Sequence, residues 1–516
     1  MYNDDDTLYD YALSNDELLY EDDYDFLNNV PPEVIAQARV DTFDVYQEVN
    51  SIYNNCLKSV LVQGFSQNYV LILSCVLYQI FAKVLKSFCF NHLYHVIILS
   101  LISVLLSTLA LSSFFNDILY ISVCILLGLV FLNYILVNLL LYYKILDLGK
   151  YVSLFTIVLI LTVEVHFSNI FFWSRLRGII LLLSMKLISY SFDLENNKNL
   201  NHSIFLLISY TFHPGSLIFG PWFSIADFIE SVNNSFAISS NWVKSVLKNA
   251  FCAIFCLCVS TCVASHLFID VSQPYSPALF PVISGKWMQA YTTAVSFHFS
   301  HYYICYLSVL TLQVSGSGYE KSLKPKSSPT EQKSNRNELD WLKYSIVHPV
   351  SVEVPLSMSQ VVVHWNTKSS WWLKNYVFKR FRYLGVFPAL LCVYVASSLL
   401  HGLSVHLSVT LVSLAVYAYV EETLRLKLSQ KFNCVFITSR NASKNKWKNT
   451  PFLANLFNLC WVFVNIFHLA YLGSLFDSEL NQNEHHSFYY TYNKLSNLSF
   501  ASHIFVCFCG LISFII

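Results

Sequence analysis

From Tyr383 to Val420 the chain carries no Asp, Glu, Lys or Arg. A bilayer core about 30 Å thick is crossed by roughly 20 apolar helical residues. This run is too long for one ordinary span and just long enough for two short ones. His401 then falls near the end of a first helix, or at the His401-Gly402 turn between two. Composition agrees: apolar residues make up 55% of the chain and charged residues only 12%, against roughly 25% charged in soluble domains. The sequence predicts an all-α polytopic membrane protein.

Further apolar segments lie near 65–82, 93–115, 117–143, 151–172, 176–192, 203–220, 247–269, 288–314, 452–476 and 498–516. With the 384–424 pair they predict a bundle of about ten to twelve transmembrane helices. No internal repeat is visible, which argues against an inverted-repeat transporter. Residues 1–50 hold 14 of the 32 acidic residues and one basic residue, Arg39, so the remainder is strongly basic. That tail has no signal-peptide pattern, and the first span is expected to act as a signal anchor. Two regions follow: an acidic, disordered tail over 1–60 and a membrane domain over 61–516. The domain is interrupted by a hydrophilic loop at 315–345, expected to be cytosolic. Basic residues flank the 384–424 run on both sides, so it is expected to be a hairpin returning to the cytosolic face. His401 would then sit deep, toward the lumen, and the sequon Asn441-Ala442-Ser443 would stay unglycosylated.

Several residues inside the apolar body invite a functional reading, each beside a structural one. Tyr394, Ser397, Ser398 and His401 fall at i, i+3, i+4 and i+7, on one helix face. Such a stripe lines a packed seam or an aqueous cavity rather than lipid. Glu164 and Lys186 are intramembrane charges, expected to be structural and able to pair with one another. His213-Pro214-Gly215 and Gly220-Pro221-Trp222 interrupt the segment Tyr210–Val232, so a continuous helix is not expected there. Broken backbone at membrane depth must be covered by protein or a cavity. Cys252, Cys256, Cys258 and Cys262 lack zinc-type spacing and read as free apolar thiols. His298 and His301 sit one turn apart but show no third ligand, and His401 and His406 differ by about 140° around a helix. No metal site and no nucleic-acid partner is expected. Around Trp365, Trp371, Trp372 and Tyr376, with Lys374, Lys379, Arg380 and Arg382, two readings stay open: headgroup-level anchoring and contact with cofactor phosphates.

The segment WNTKSSWWLKNYVFKRF, then ASSLLHGLSVHL, ending in AYVEETLR, resembles the signature region of the membrane-bound O-acyltransferases. The block YTFHPGSLIFGPWFSIADFIESV is similar to the family's G-P-W segment. The closest likeness is to the branch that places a monounsaturated acyl chain on a serine of Wnt proteins. That resemblance implies a membrane bundle around a central cavity, with 365–422 as the catalytic segment. It assigns His401 and Asn366 to the active centre and implies palmitoleoyl-CoA as the donor substrate, with no permanently bound cofactor. Wnt proteins are the implied acceptors, and the endoplasmic reticulum membrane the implied location.

The division of labour follows from chemistry. A serine hydroxyl must lose its proton as it attacks a thioester, and an imidazole with a reference pKa of about 6.5 suits that transfer. His401 is therefore expected to be the general base, and Asn366 to orient the reactants or hydrogen-bond the developing oxyanion. Trp365, Tyr376, Tyr394 and Ser397 are weaker candidates for the tunnel wall, since packing explains each equally well. Two alternatives remain at this stage: an acyltransferase of the same family acting on a lipid or another secreted protein, and a transporter or scaffold.

Overall fold

The computed structural model describes residues 52–88, 92–167, 171–197, 200–233, 238–264, 285–321, 339–400, 404–432, 452–476 and 488–516. His401, Gly402, the sequon, most of the hydrophilic loop and nearly all of the acidic tail lie outside the described residues. The chain divides into two units, Met1–Val60 and Leu61–Ile516. In the first, Ile52–Leu57 forms a π-helical turn.

The described chain is almost wholly helical. In order come α1 (Lys58–Phe88), α2 (His92–Phe115), α3 (Leu119–Tyr142), α4 (Leu148–Phe167), α5 (Phe171–Asn196), α6 (Ile204–Thr211), α7 (Ile225–Asn233) and α8 (Ser240–Cys258). Then follow α9 (Gly285–Val314), α10 (Met358–Trp365), α11 (Thr367–Leu373), α12 (Val386–Leu400), α13 (Val405–Phe432), α14 (Phe452–Gly473), α15 (Phe488–Asn497) and α16 (Ala501–Ile515). A two-residue ladder, β1 (Glu320–Lys321) with β2 (Leu339–Asp340), closes the base of the hydrophilic loop, Glu320 opposite Asp340.

Among the described residues, six stretches are long and apolar enough to cross a membrane, or seven if the pair α15–α16, bent by 75°, counts as one span. This is a multi-pass membrane protein. One of the six, Leu93–Tyr142, contains both α2 and α3, which meet at the 3-10 turn Asn116–Ile118. The 26-residue α5 and the 30-residue α9 are also long enough but more polar, because they face protein rather than lipid. Every residue of α9 from Leu307 to Val314 is buried, as are Ser184, Ser189 and Ser191 on α5. The polar groups here find protein partners. Gln313 accepts from Asn249 Nδ2 at 3.0 Å and donates to the Trp341 carbonyl at 3.0 Å, tying α8 and α9 to the chain after the loop.

The 203–220 segment is broken as the sequence requires. Helix α6 ends at Thr211, and a turn Pro214–Leu217 follows. A helix end in hydrocarbon must find donors for its last carbonyls. Lys186, fully buried, supplies them: Nζ donates to the carbonyls of Tyr210 (3.2 Å) and Thr211 (3.3 Å) and to Ser216 Oγ (2.9 Å). A cation at a helix C-terminus also meets the negative end of the macrodipole. Glu164 has its own partners, Arg177 at 3.0 Å and the Trp173 indole at 2.5 Å. The two intramembrane charges therefore do not pair with each other. Gly215 lies against α9, where a Cβ would come within 2.8 Å of the Thr311 carbonyl oxygen.

One cysteine departs from expectation. Cys252, Cys256 and Cys258 are free thiols, but Cys262 is disulfide-bonded.

Replacing Lys186 by Met leaves two helix-end carbonyls without a donor. It is expected to cost about 3 kcal/mol, read as a lower unfolding temperature of the detergent-purified protein. Gly215→Ala is expected to lower it further by pushing the turn off α9.

Candidate active site

The stretch from Ser345 to Leu384 doubles back through several short helices, and its centre is the break at Trp365-Asn366. Helix α10 begins with two caps. The Ser357 side chain accepts from the Gln360 amide, and Glu421 Oε2 of α13 accepts from the Met358 amide at 2.7 Å. Glu421 also pairs with Arg425 at 2.8 Å, both buried, and Arg425 lies over Trp461 of α14. Thus α13 holds the helix that carries the tryptophan and asparagine.

At Asn366 the backbone is extended, with φ −150° and ψ 95°. The amides freed by the break are met locally. Thr367 N–H donates to the Ile346 carbonyl at 2.7 Å, and the Ser369 amide donates to Asn366 Oδ1 at 2.9 Å. The second bond identifies which amide atom is oxygen. Asn366 is therefore the N-cap of α11, its acceptor is engaged, and what it can bring to a substrate is the Nδ2 donor.

Trp365 sits in a column of rings. His301 stacks on it with centroids 4.2 Å apart and planes at 4°, and His301 Nε2–H donates to the Trp365 carbonyl at 2.9 Å. On another side Phe297 stacks on Trp365, Phe476 stacks on Phe297 at 4.0 Å, and His406 meets Phe476 edge-on at 5.3 Å. This column leads from the Asn366 break to the start of α13, where Ser404 Oγ hydrogen-bonds His406 Nδ1 at 3.0 Å. His401 falls between α12 and Ser404 in the chain. The fold thus brings the Trp365-Asn366 break and the start of α13 to one region, while His401 itself lies outside the described residues.

Beside that column is an acid–imidazole pair that spacing did not reveal. Glu353 Oε1 lies 3.0 Å from His298 Nδ1 and accepts from Tyr302 O–H at 2.5 Å. Burial opposes the charge of Glu353, but these two partners outweigh it and hold its carboxyl below the usual range. His298 also packs edge-on against Trp365. Sequence showed His298 and His301 one turn apart with no carboxylate nearby. The carboxylate comes from a turn more than fifty residues later, and only an acid in an otherwise apolar, proline-flanked stretch hinted at it. Among the described residues no group of three His, Cys, Asp or Glu is placed to hold a metal ion.

The depth of the region follows from helix geometry. His301 precedes the end of α9, beside the basic loop, by thirteen residues, about 20 Å. Helix α12 starts just after Lys379, Arg380 and Arg382, and its 15 residues reach about 22 Å inward. Both measures stop short of a core about 30 Å thick.

The remaining candidates divide. Tyr376 lies not on the Trp365 column but against α5, donating to Asp193 Oδ1 at 2.8 Å and stacking on Phe192. Its neighbour Trp371 stacks on Trp222 at 5.3 Å, so the two sequence blocks are in contact. Tyr394 is buried and Ser397 half-buried on α12, and Ser398 Oγ meets Ser408 Oγ of α13 at 2.5 Å. The hydroxyl stripe thus lines the seam of the hairpin. Three basic residues of the segment rest on rings, Lys368 over Tyr344, Arg380 over Phe192 and Arg382 over Phe378, while Lys379 donates to Asn375 Oδ1. Burial lowers the pKa of Lys368 from its usual value.

The broken segment bearing Trp365 and Asn366 is thus linked through stacked rings to the start of α13. The family model for MBOAT, the membrane-bound O-acyltransferase family, matches residues 114–463, and this chain belongs to that family. Among curated relatives, the protein-serine O-palmitoleoyltransferase porcupine of Mus musculus is 35% identical over 69% of this chain and 76% of its own length. The Homo sapiens protein of the same name is 34% identical over the same shares. That of Anopheles gambiae is 28% identical over 67% of this chain and 70% of its own length.

Glu421→Gln leaves a buried guanidinium without its counter-charge and weakens the clamp on α10. The expected loss is about 3–5 kcal/mol in thermal unfolding. Replacing both Glu421 and Arg425 by apolar residues of similar volume should recover part of it.

Proposed function

We propose that this chain transfers a palmitoleoyl group from palmitoleoyl-CoA to a serine hydroxyl of a Wnt protein in the endoplasmic reticulum membrane. The similarity to protein-serine O-palmitoleoyltransferases, extending over about three quarters of their length, supports the donor chain and the acceptor atom. The observation that carries the mechanism is the capped Asn366, whose bound oxygen leaves an N–H donor to offer.

The serine oxygen attacks the thioester carbon while His401 takes its proton as general base. Charge develops on the former carbonyl oxygen, and the Asn366 Nδ2–H donates to it. The C–S bond then breaks, and the proton held by His401 goes to the departing CoA thiolate. His301, stacked on Trp365 and bonded to its carbonyl, fixes the backbone from which Asn366 projects. A site some 20 Å from the basic face suits a reaction whose donor is cytosolic and whose acceptor is luminal.

The test is transfer of an alkyne-tagged monounsaturated acyl group to co-expressed Wnt at matched protein levels. His401→Ala and alanine at the acceptor serine are each expected to abolish labelling. Asn366→Asp is the sharper variant. Asp keeps the oxygen that caps α11 and removes the Nδ2 donor, and at matched protein levels the rate should fall by about 10²–10³-fold. Label persisting at the wild-type rate in His401→Ala would remove the base from the mechanism. Label appearing on a lipid or another protein instead of Wnt would move the acceptor.

A further inference from the structure

On the side of α5 turned away from Lys186, helices α3, α4 and α5 enclose a cavity of about 490 Å³. That volume is in the range of small-molecule sites. Along α3 its wall runs from Ile121 to Asn133, about 18 Å of helix, and Ile118 of the preceding turn extends it. Ile180, Ser184 and Leu187 of α5 line it. Lys186 and Ser189 of the same helix point instead to the broken segment 210–222, so the cavity is separate from the acyl-transfer site.

The wall is aliphatic and aromatic except for Asn133, Thr156 and Ser184 and the indole of Trp173. The three helices run antiparallel. Asn133 lies nine residues before the end of α3, Thr156 eight after the start of α4, and Ser184 thirteen after the start of α5. At 1.5 Å per residue these positions fall at one level, to within about one helical turn. Ser184 spends its hydroxyl on the Ile180 carbonyl at 2.7 Å. Asn133 is only 2% exposed, and neither its Oδ1 nor its Nδ2 has a hydrogen-bond partner. A buried amide left unpaired is costly, and an apolar residue would fill the same space without that cost. Toward the other end the carboxylate of Glu164 is already satisfied, one oxygen engaged by Arg177 and one by Trp173.

We propose that this cavity binds a neutral membrane lipid with a single hydroxyl on an elongated apolar body, the hydroxyl pairing with Asn133. An amide presents a donor and an acceptor side by side, and a hydroxyl is the simplest group that answers both. A carboxylate or ammonium answers one half only and brings an unpaired charge into an apolar wall. Sterols and long-chain alcohols share this chemistry.

The full-length protein in nanodiscs is exposed to two diazirine photoprobes, a sterol and a long-chain fatty alcohol, and labelled peptides are mapped. Labelling of 118–187 by one of them is expected, saturable and competed by the unlabelled parent. Whichever probe labels names the source. The methyl ether of that probe, which accepts but cannot donate, should label more weakly. Asn133→Leu is expected to reduce labelling about tenfold, and Leu129→Trp, which fills the cavity, to abolish it, both with an unchanged size-exclusion profile. Labelling that is unsaturable, absent from 118–187, or indifferent to both substitutions overturns the proposal. Should either variant fail to fold, competed labelling of the wild-type helices decides alone.

Discussion

In hydrocarbon every backbone amide and carbonyl must be satisfied by protein, and two helix breaks around the candidate site show how this chain does it. At Thr211–Pro214 the freed carbonyls take the Lys186 ammonium. At Trp365–Thr367 the freed groups take the His301 ring, the Ile346 carbonyl and the Asn366 side chain, while Glu421 receives the first amide of α10. The architecture around the site is a set of answers to those two breaks. Intramembrane charges are expensive alone, and here Lys186 terminates a helix while Glu164 pairs with Arg177.

That constraint explains why the site is built on irregular backbone yet held rigidly. Asn366 reaches the interior because its helix stops there, and it stops there in one geometry because its own oxygen caps the next helix. The same bond that fixes the fold selects the chemistry the residue can offer, a donor rather than an acceptor. Trp365 is fixed from both sides by His301 and Phe297, and that stack continues through Phe476 to the hairpin. Preorganised donors of this kind stabilise developing charge without reorganising at the moment of reaction.

Much of the fold was legible in sequence for simple reasons. Long charge-free runs mark spans, proline and glycine mark breaks, and Trp-Asn with His-Gly inside such context marks the family. The helices α12 and α13 and the broken segment after Tyr210 follow from those signals. What stayed illegible was partnership. Glu353 stands beside His298 across a separation that no local periodicity encodes, and Tyr376, adjacent in sequence to the Asn motif, turns to α5 instead. That Cys262 is disulfide-bonded while its three neighbours are free thiols was likewise not visible in spacing.

The sequence by itself determined that the chain is a membrane protein, where its helices can run and where they must stop, because hydropathy and backbone chemistry act within a few residues. Tertiary structure alone decided which side chains satisfy each break. It placed Glu421 on the amide of Met358, Lys186 on the carbonyls of Tyr210 and Thr211, and rings between Trp365 and His406. Those choices rest on contacts between helices tens to hundreds of residues apart, set by how polar groups pair once water is excluded.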